Sequence, residues 1–187
     1  MINCKKDFPL FDHYVHPHTS EQLIYLDSAA SALKPQCVID RMNEFYEREY
    51  ANIHRGLYHL SHLSTTHYEA AREAVREFIK ARDEKCVIFT KGTTESINMV
   101  MHIWGHLNIQ KGDRILLSHT EHHANIVPWQ ILSQATGCHI DFIPLITDRA
   151  ITWDDIKPHI KQRTKLLGLT HISNALGTRN DVYDICI

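Results

Sequence analysis

Three short stretches of this chain carry residue types that bind anions, move protons or hydrogen-bond a ligand. Gly92-Thr93-Thr94-Glu95 follows an apolar run and opens a helical pattern. Free backbone N–H groups and the helix dipole favour an anion at such a point, and the two threonine hydroxyls add donors. Read locally, the same residues also make an ordinary turn with an N-cap. Ser118 to Asn125 (SHTEHHAN) gathers His119, His122 and His123. An imidazole there stacks on an aromatic cofactor or moves protons near neutral pH, or else it belongs to a solvated polar loop. A metal site is a further reading, although adjacent His122 and His123 rarely point at one ion and no carboxylate–histidine or cysteine pattern completes a shell. Thr170 to Thr178 (THISNALGT) offers Asn174 as a ligand contact, or as a turn residue before Gly177.

All three stretches come at the ends of apolar runs of strand length. Val87 to Thr90, Arg114 to Ser118, His139 to Pro144 and Lys165 to Thr170 are the expected strands. Thr94 to Asn108, Ile126 to Thr136 and Trp153 to Ile160 between them have helical spacing, so the alternation predicts a largely parallel sheet between helices. Parallel strands bring their C-terminal ends to one edge, and the loops after Thr90, Ser118 and Thr170 are expected to converge on one crevice there. Upstream, Pro35 to Tyr50 and a longer stretch carrying Leu63, Ala70, Ala71, Ala74, Val75, Phe78 and Ile79 predict two amphipathic helices. Tyr25 to Ser31 is a short strand-like run breaking into small residues, which let a backbone approach a ligand. His54-Arg55-Gly56, between the two helices, offers an imidazole and a cation before a flexible glycine. An ordinary turn and a solvated arginine are the alternatives. Asp181 to Ile187 begins another amphipathic helix, which is expected to leave apolar surface and a strand edge uncovered.

The 187 residues suffice for one sizeable core, and a formal charge of −2 gives no case for nucleic acid or an anionic membrane as a partner. No apolar run approaches the roughly 20 residues of a membrane span, and no signal peptide is expected at the N-terminus. The 5 cysteines are widely spaced without a C-x-x-C pair, which argues against a disulfide framework and predicts a reducing, cytoplasmic setting. The 15 histidines keep a histidine-driven metal binder among the alternatives.

Taken together, YLDSAASALKP (Tyr25 to Pro35), HRG (His54 to Gly56), FTKGTTESIN (Phe89 to Asn98), EHHANIVPWQ (Glu121 to Gln130) and THISNALGT (Thr170 to Thr178) resemble the group II, Suf-type cysteine desulfurases and selenocysteine lyases of the class V aminotransferase superfamily. The resemblance covers nearly the whole chain with motifs in order and register. It implies an α/β fold-type-I, aspartate aminotransferase-like enzyme dependent on pyridoxal 5'-phosphate, a homodimer whose large domain has a seven-stranded, mostly parallel sheet. Residues 1–60 are then expected to pack as an N-terminal segment and helix on the large domain. Residues 61–187 are expected to form the first part of that domain, its remainder and the C-terminal small domain being absent. The resemblance assigns Thr93 and Thr94 to the phosphate, His122 to stacking on the ring and to proton handling, and Asn174 to the ring's phenolic oxygen and the substrate. It assigns Ala29 and Ala30 to a substrate-side loop, and His54 and Arg55 to the active-site mouth. Lys91 stands where many relatives have arginine. No metal is implied.

The implied reaction takes sulfur from L-cysteine, giving L-alanine and an enzyme persulfide, which passes sulfur to an acceptor protein for iron–sulfur cluster assembly. The family's Asp-x-x-Gln pair, its Ser-x-His-Lys segment with the Schiff-base lysine, its substrate-binding arginine and its nucleophilic cysteine are expected beyond residue 187. These residues alone are therefore expected to be inactive. Selenocysteine lyase remains open, as does a non-catalytic fragment pairing with a full-length desulfurase or a separate C-terminal half.

Overall fold

A computed structural model describes residues 4–19 and 21–185. Its elements run α1 (Leu10–His13), α2 (Gln36–Glu44), α3 (His59–Ile79), α4 (Thr93–Val100), α5 (His106–Asn108), β1 (Arg114–Ser118), α6 (Val127–Thr136), β2 (His139–Ile143), α7 (Trp153–Ile156), β3 (Thr164–Gly168) and α8 (Val182–Ile185). The chain divides into two compact units, one up to Ile88 and one from Phe89 on. An expected boundary at residue 60 falls inside α3, a continuous 21-residue helix.

In the second unit, β1 lies between β2 and β3 and pairs parallel to both. An apolar central strand is the consequence of cover on both faces. Ile115, Leu116 and Leu117 are fully buried, with alternate side chains entering two separate clusters. Ile115 and Leu117 pack with Met101, Ile109, Trp129, Leu132 and Cys138. Leu116 packs with Ile143, Ile151, Ile156 and Ile185 on the other side.

α4 and α5 are joined by a π-helical turn, Met101–Gly105. A Cβ on Gly105 would stand 2.9 Å from Leu132 Cδ2, so glycine lets this turn lie close against α6. α6 stops at Gly137, which takes a left-handed φ of 76°, as expected for a glycine ending a helix.

Three of the four expected strands form. Val87 to Thr90 does not. Val87 is buried and its carbonyl accepts from the Arg72 guanidinium, whereas Ile88 and Phe89 are exposed and belong to no strand among the described residues. Strand propensity without a neighbouring ladder leaves an extended segment. Tyr25 to Ser31 likewise forms a turn, with Tyr25 Oη donating to the carbonyls of Asp27 and Ser31. The last expected helix is α8, Val182–Ile185, and residues 186–187 lie outside the described chain.

The first unit contains α1 to α3, with a second π-helical turn, Phe45–Glu49, after α2. Among its described residues, Ser61, Ser64 and Val87 are buried. Phe78 and Ile79, expected on the buried face of α3, are 87% and 56% exposed. No described helix is long and apolar enough to cross a membrane.

Candidate functional site

The N-terminal edge of the sheet is occupied by ion pairs. Arg114 and Lys161 both bind Asp141, at 2.8 Å and 2.7 Å, and Arg163 holds buried Asp113 at 3.0 Å. Hydrogen bonding from the Gln110 backbone and from Arg163 holds the Asp113 carboxyl below its ordinary pKa. Burial alone would raise Asp141, but hydrogen bonds from Lys161 and Arg114 outweigh it and lower its pKa. The opposite edge, where β1 and β3 end, carries the loops with unspent polar groups.

α4 begins at Thr93 with Gly92 as N-cap and no side-chain cap, so its first N–H groups are free of that competition. Thr93 and Thr94 are exposed, and nothing lies within 4 Å of where a Cβ on Gly92 would be. Glu95 turns back to accept from Lys91 N–H at 2.6 Å, and Thr90 and Ser96 share a hydroxyl contact of 2.8 Å. These contacts fix the turn from its far side while leaving the threonines open.

Beyond β1, His122 N-caps a short 3₁₀ turn, His123–Asn125, its Nδ1 accepting from Ala124 N–H at 3.1 Å. That bond makes Nδ1 the acceptor and places the proton of a neutral imidazole on Nε2. His119 instead stacks on Phe142, 4.7 Å between ring centres. Among the described residues no group of three or more His, Cys, Asp or Glu is placed to hold a metal ion.

Beyond β3, buried Ser173 accepts from the N–H groups of Ala175 and Leu176, and Gly177, with φ 70°, closes the turn. Asn174 stands exposed at the head of this turn.

Neighbours of these pieces meet, while Thr93, Thr94, His122 and Asn174 themselves do not line the cleft that results. α4 packs against the 3₁₀ turn after His122. A cleft of about 340 Å³ is lined by Ser96, Ile97 and Val100 of α4, by Asn125 and Trp129, and by Leu166 to Leu169 at the end of β3. Glu121 reaches 49 residues along the chain to accept from Thr170 N–H at 2.6 Å. Asn180 donates to the Thr170 carbonyl at 2.7 Å and accepts from Ile151 N–H at 2.8 Å. Sequence reasoning gave neither Glu121 nor Asn180 a role. Their partners lie far off in the chain, and only the position of Glu121 at a strand end hinted at it.

The substrate-side candidates belong to the first unit. Ala29 and Ala30 occupy an exposed turn whose N–H groups at Ala30 and Ser31 donate to Asp27. His54 takes a left-handed φ of 72°, held by its N–H donating to Thr65 Oγ1 at 2.9 Å and by an edge contact with Tyr68. A non-glycine residue in that conformation is strained unless its surroundings impose it. Ser61 Oγ donates to the Asn52 carbonyl, and a Cβ on Gly56 would stand 2.2 Å from Ser61 Oγ, so only glycine follows Arg55 without moving the helix.

Loops beyond the C-terminal ends of two parallel strands, with α4 packed beside one of them, are the arrangement of α/β enzymes that bind phosphorylated ligands. The chain belongs to the class-V aminotransferase family, whose model matches residues 24–187. It is 42% identical over 181 residues to a probable cysteine desulfurase of Halalkalibacterium halodurans, covering 97% of this chain and 44% of that protein. It is 46% identical over 178 residues to a cysteine desulfurase of Pectobacterium atrosepticum, covering 95% and 43%. The apo cysteine desulfurase of Thermococcus onnurineus shares its fold with a TM-score of 0.85 and 34% identity, over 98% of this chain and 43% of that one. The chain thus spans less than half the length of these relatives.

Proposed function

We propose that this chain provides the phosphate- and ring-binding part of a pyridoxal 5'-phosphate-dependent cysteine desulfurase, the cofactor its relatives use. The observation supporting this reading is a cleft where Ser96, Ile97 and Val100 of α4, the Asn125 turn that follows His122 and the end of β3 meet; Thr93, Thr94, His122 and Asn174 stand outside its lining. The donor set fits the cofactor. Thr93 and Thr94 offer N–H and hydroxyl donors to a phosphate, His122 offers an imidazole with a free Nε2, and Asn174 offers an exposed amide.

When bound, the pyridine ring withdraws electrons from the substrate's α-carbon. The chain's own residues do the rest of what this part of the site supplies. The helix terminus and two threonines anchor the phosphate, which fixes the ring without charge from the substrate side. His122, its Nδ1 committed to Ala124, presents a single proton-bearing nitrogen and stacks by its ring face. Asn174 hydrogen-bonds the ring's oxygen and orients it. Ala29 and Ala30 are assigned by the resemblance to a substrate-side loop, and His54 and Arg55 to the active-site mouth.

The products in this reading are L-alanine and an enzyme persulfide, whose sulfur a partner protein accepts for iron–sulfur cluster assembly, in a cytoplasmic homodimer. The test is equilibrium binding of pyridoxal 5'-phosphate. Replacing both hydroxyls, Thr93→Val with Thr94→Val, removes two bonds to a charged group and is expected to weaken binding by at least about tenfold. Unchanged affinity would remove the phosphate site from α4.

A further inference from the structure

Glu121 is half-buried, and both of its oxygens are engaged within the protein. Oε1 accepts from Ser118 Oγ at 2.5 Å and from Thr170 N–H at 2.6 Å, and Oε2 accepts from Asn125 Nδ2 at 2.8 Å. Asn125 in turn accepts on Oδ1 from the Trp129 indole N–H at 3.0 Å. The chain of bonds has an obligate donor at each end, a backbone N–H at Thr170 and an indole N–H at Trp129. Asn125 uses one donor and one acceptor face, so the residue between it and Thr170 must accept on both sides. Among side chains of that size, a carboxylate alone does so.

We propose that Glu121 is the positioning residue of the site, a two-sided acceptor that locks the His122 loop to the Asn174 loop. Thr170 is held by side chains on both faces of its residue, N–H by Glu121 and C=O by Asn180, four residues before Asn174. His122 follows Glu121 directly. Tight packing at the same point prevents slippage, because a Cβ on Gly168 would meet Asn125 Nδ2 at 3.1 Å. The functional consequence rests on the cofactor reading above, whereas the clamp itself does not.

Glutamine at position 121 cannot serve. With its amide toward Asn125 it opposes Nδ2, and if Asn125 flips, the conflict passes to the Trp129 indole. With its amide toward Thr170 it opposes a backbone N–H. One donor–donor encounter survives every arrangement, unless Trp129 is replaced by a residue without an N–H. Asn125 is then free to flip.

Two measurements on the chain test this. By amide hydrogen exchange, Glu121→Ala is expected to speed exchange at Thr170 by about tenfold, the effect of one lost hydrogen bond, while Ile115 to Leu117 keep their protection. In a double-mutant cycle read by denaturant midpoint, Glu121→Gln is expected to destabilise the wild-type chain clearly and the Trp129→Phe chain little. Unchanged exchange at Thr170, equal loss of protection across β1, or an equal cost of Glu121→Gln in both backgrounds would each overturn the proposal. A chain that behaves as expected yet leaves pyridoxal 5'-phosphate unbound would refute the cofactor reading and leave the clamp standing.

Discussion

Gly168 and Asn180 show how much of the site rests on single residues outside any recognisable motif. A Cβ on Gly168 would lie 2.6 Å from Leu117 Cδ2 as well as against Asn125. Gly168→Ala is therefore expected to cost about 1–3 kcal/mol by overpacking, visible as a lowered denaturation midpoint. Asn180 is 2% exposed and its side chain satisfies two backbone groups, the Ile151 N–H and the Thr170 carbonyl. Asn180→Ala leaves the Ile151 N–H and the Thr170 carbonyl unpaired, at about 1–3 kcal/mol each, so a larger drop than for Gly168→Ala is expected in the same experiment. Thr93, Thr94, His122 and Asn174 could be proposed from the sequence because each lies in a motif that follows an apolar run of strand length. Glu121 and Asn180 were not, since their meaning lies in bonds to residues 49 and 29 positions away.

Among the elements, the strands that formed are those with neighbours. Arg114 to Leu117 combined an apolar run with flanking turns, and both edges of β1 found a partner. Val87 to Thr90 had the same local signature and no ladder among the described residues, which no local pattern reveals. The helices were legible from spacing, but their π-helical turns were not, because these answer to close packing such as Gly105 against Leu132. Three ion-paired carboxylates predict a pH dependence. Asp113, Asp141 and Asp155 all have lowered pKa values, the last through hydrogen bonds from Arg149 and Thr152 at the start of α7. A carboxylate depressed in the folded state contributes stability above its unfolded pKa, near 4, and loses it as pH falls through the folded value. The denaturation midpoint of the chain is expected to fall steadily below about pH 4. Asp141→Asn should flatten that fall in part.

For the molecule as a whole, the two units differ in kind. Both described apolar clusters lie in the second, while in the first Leu26, Leu57 and Phe78 are 90%, 96% and 87% exposed. Apolar residues left so open do not contribute to stability as buried ones do. Amide exchange is therefore expected to be fastest in α2 and α3 and slowest in β1; the reverse order would contradict the burial pattern. The same 187 residues, given cysteine and pyridoxal 5'-phosphate, are expected to release alanine at the free-cofactor background, since the resemblance places the Schiff-base lysine outside them. The central claim is that the turns at Thr93, His122 and Asn174 serve one phosphorylated ring. The most direct test is a nuclear magnetic resonance titration with pyridoxine 5'-phosphate, which cannot form a Schiff base. Signals of the Thr93 and Thr94 amides, the His122 ring and the Asn174 side-chain amide are expected to shift together and saturate with one dissociation constant. Shifts at Thr93 and Thr94 alone, or separate constants for the three loops, would contradict it.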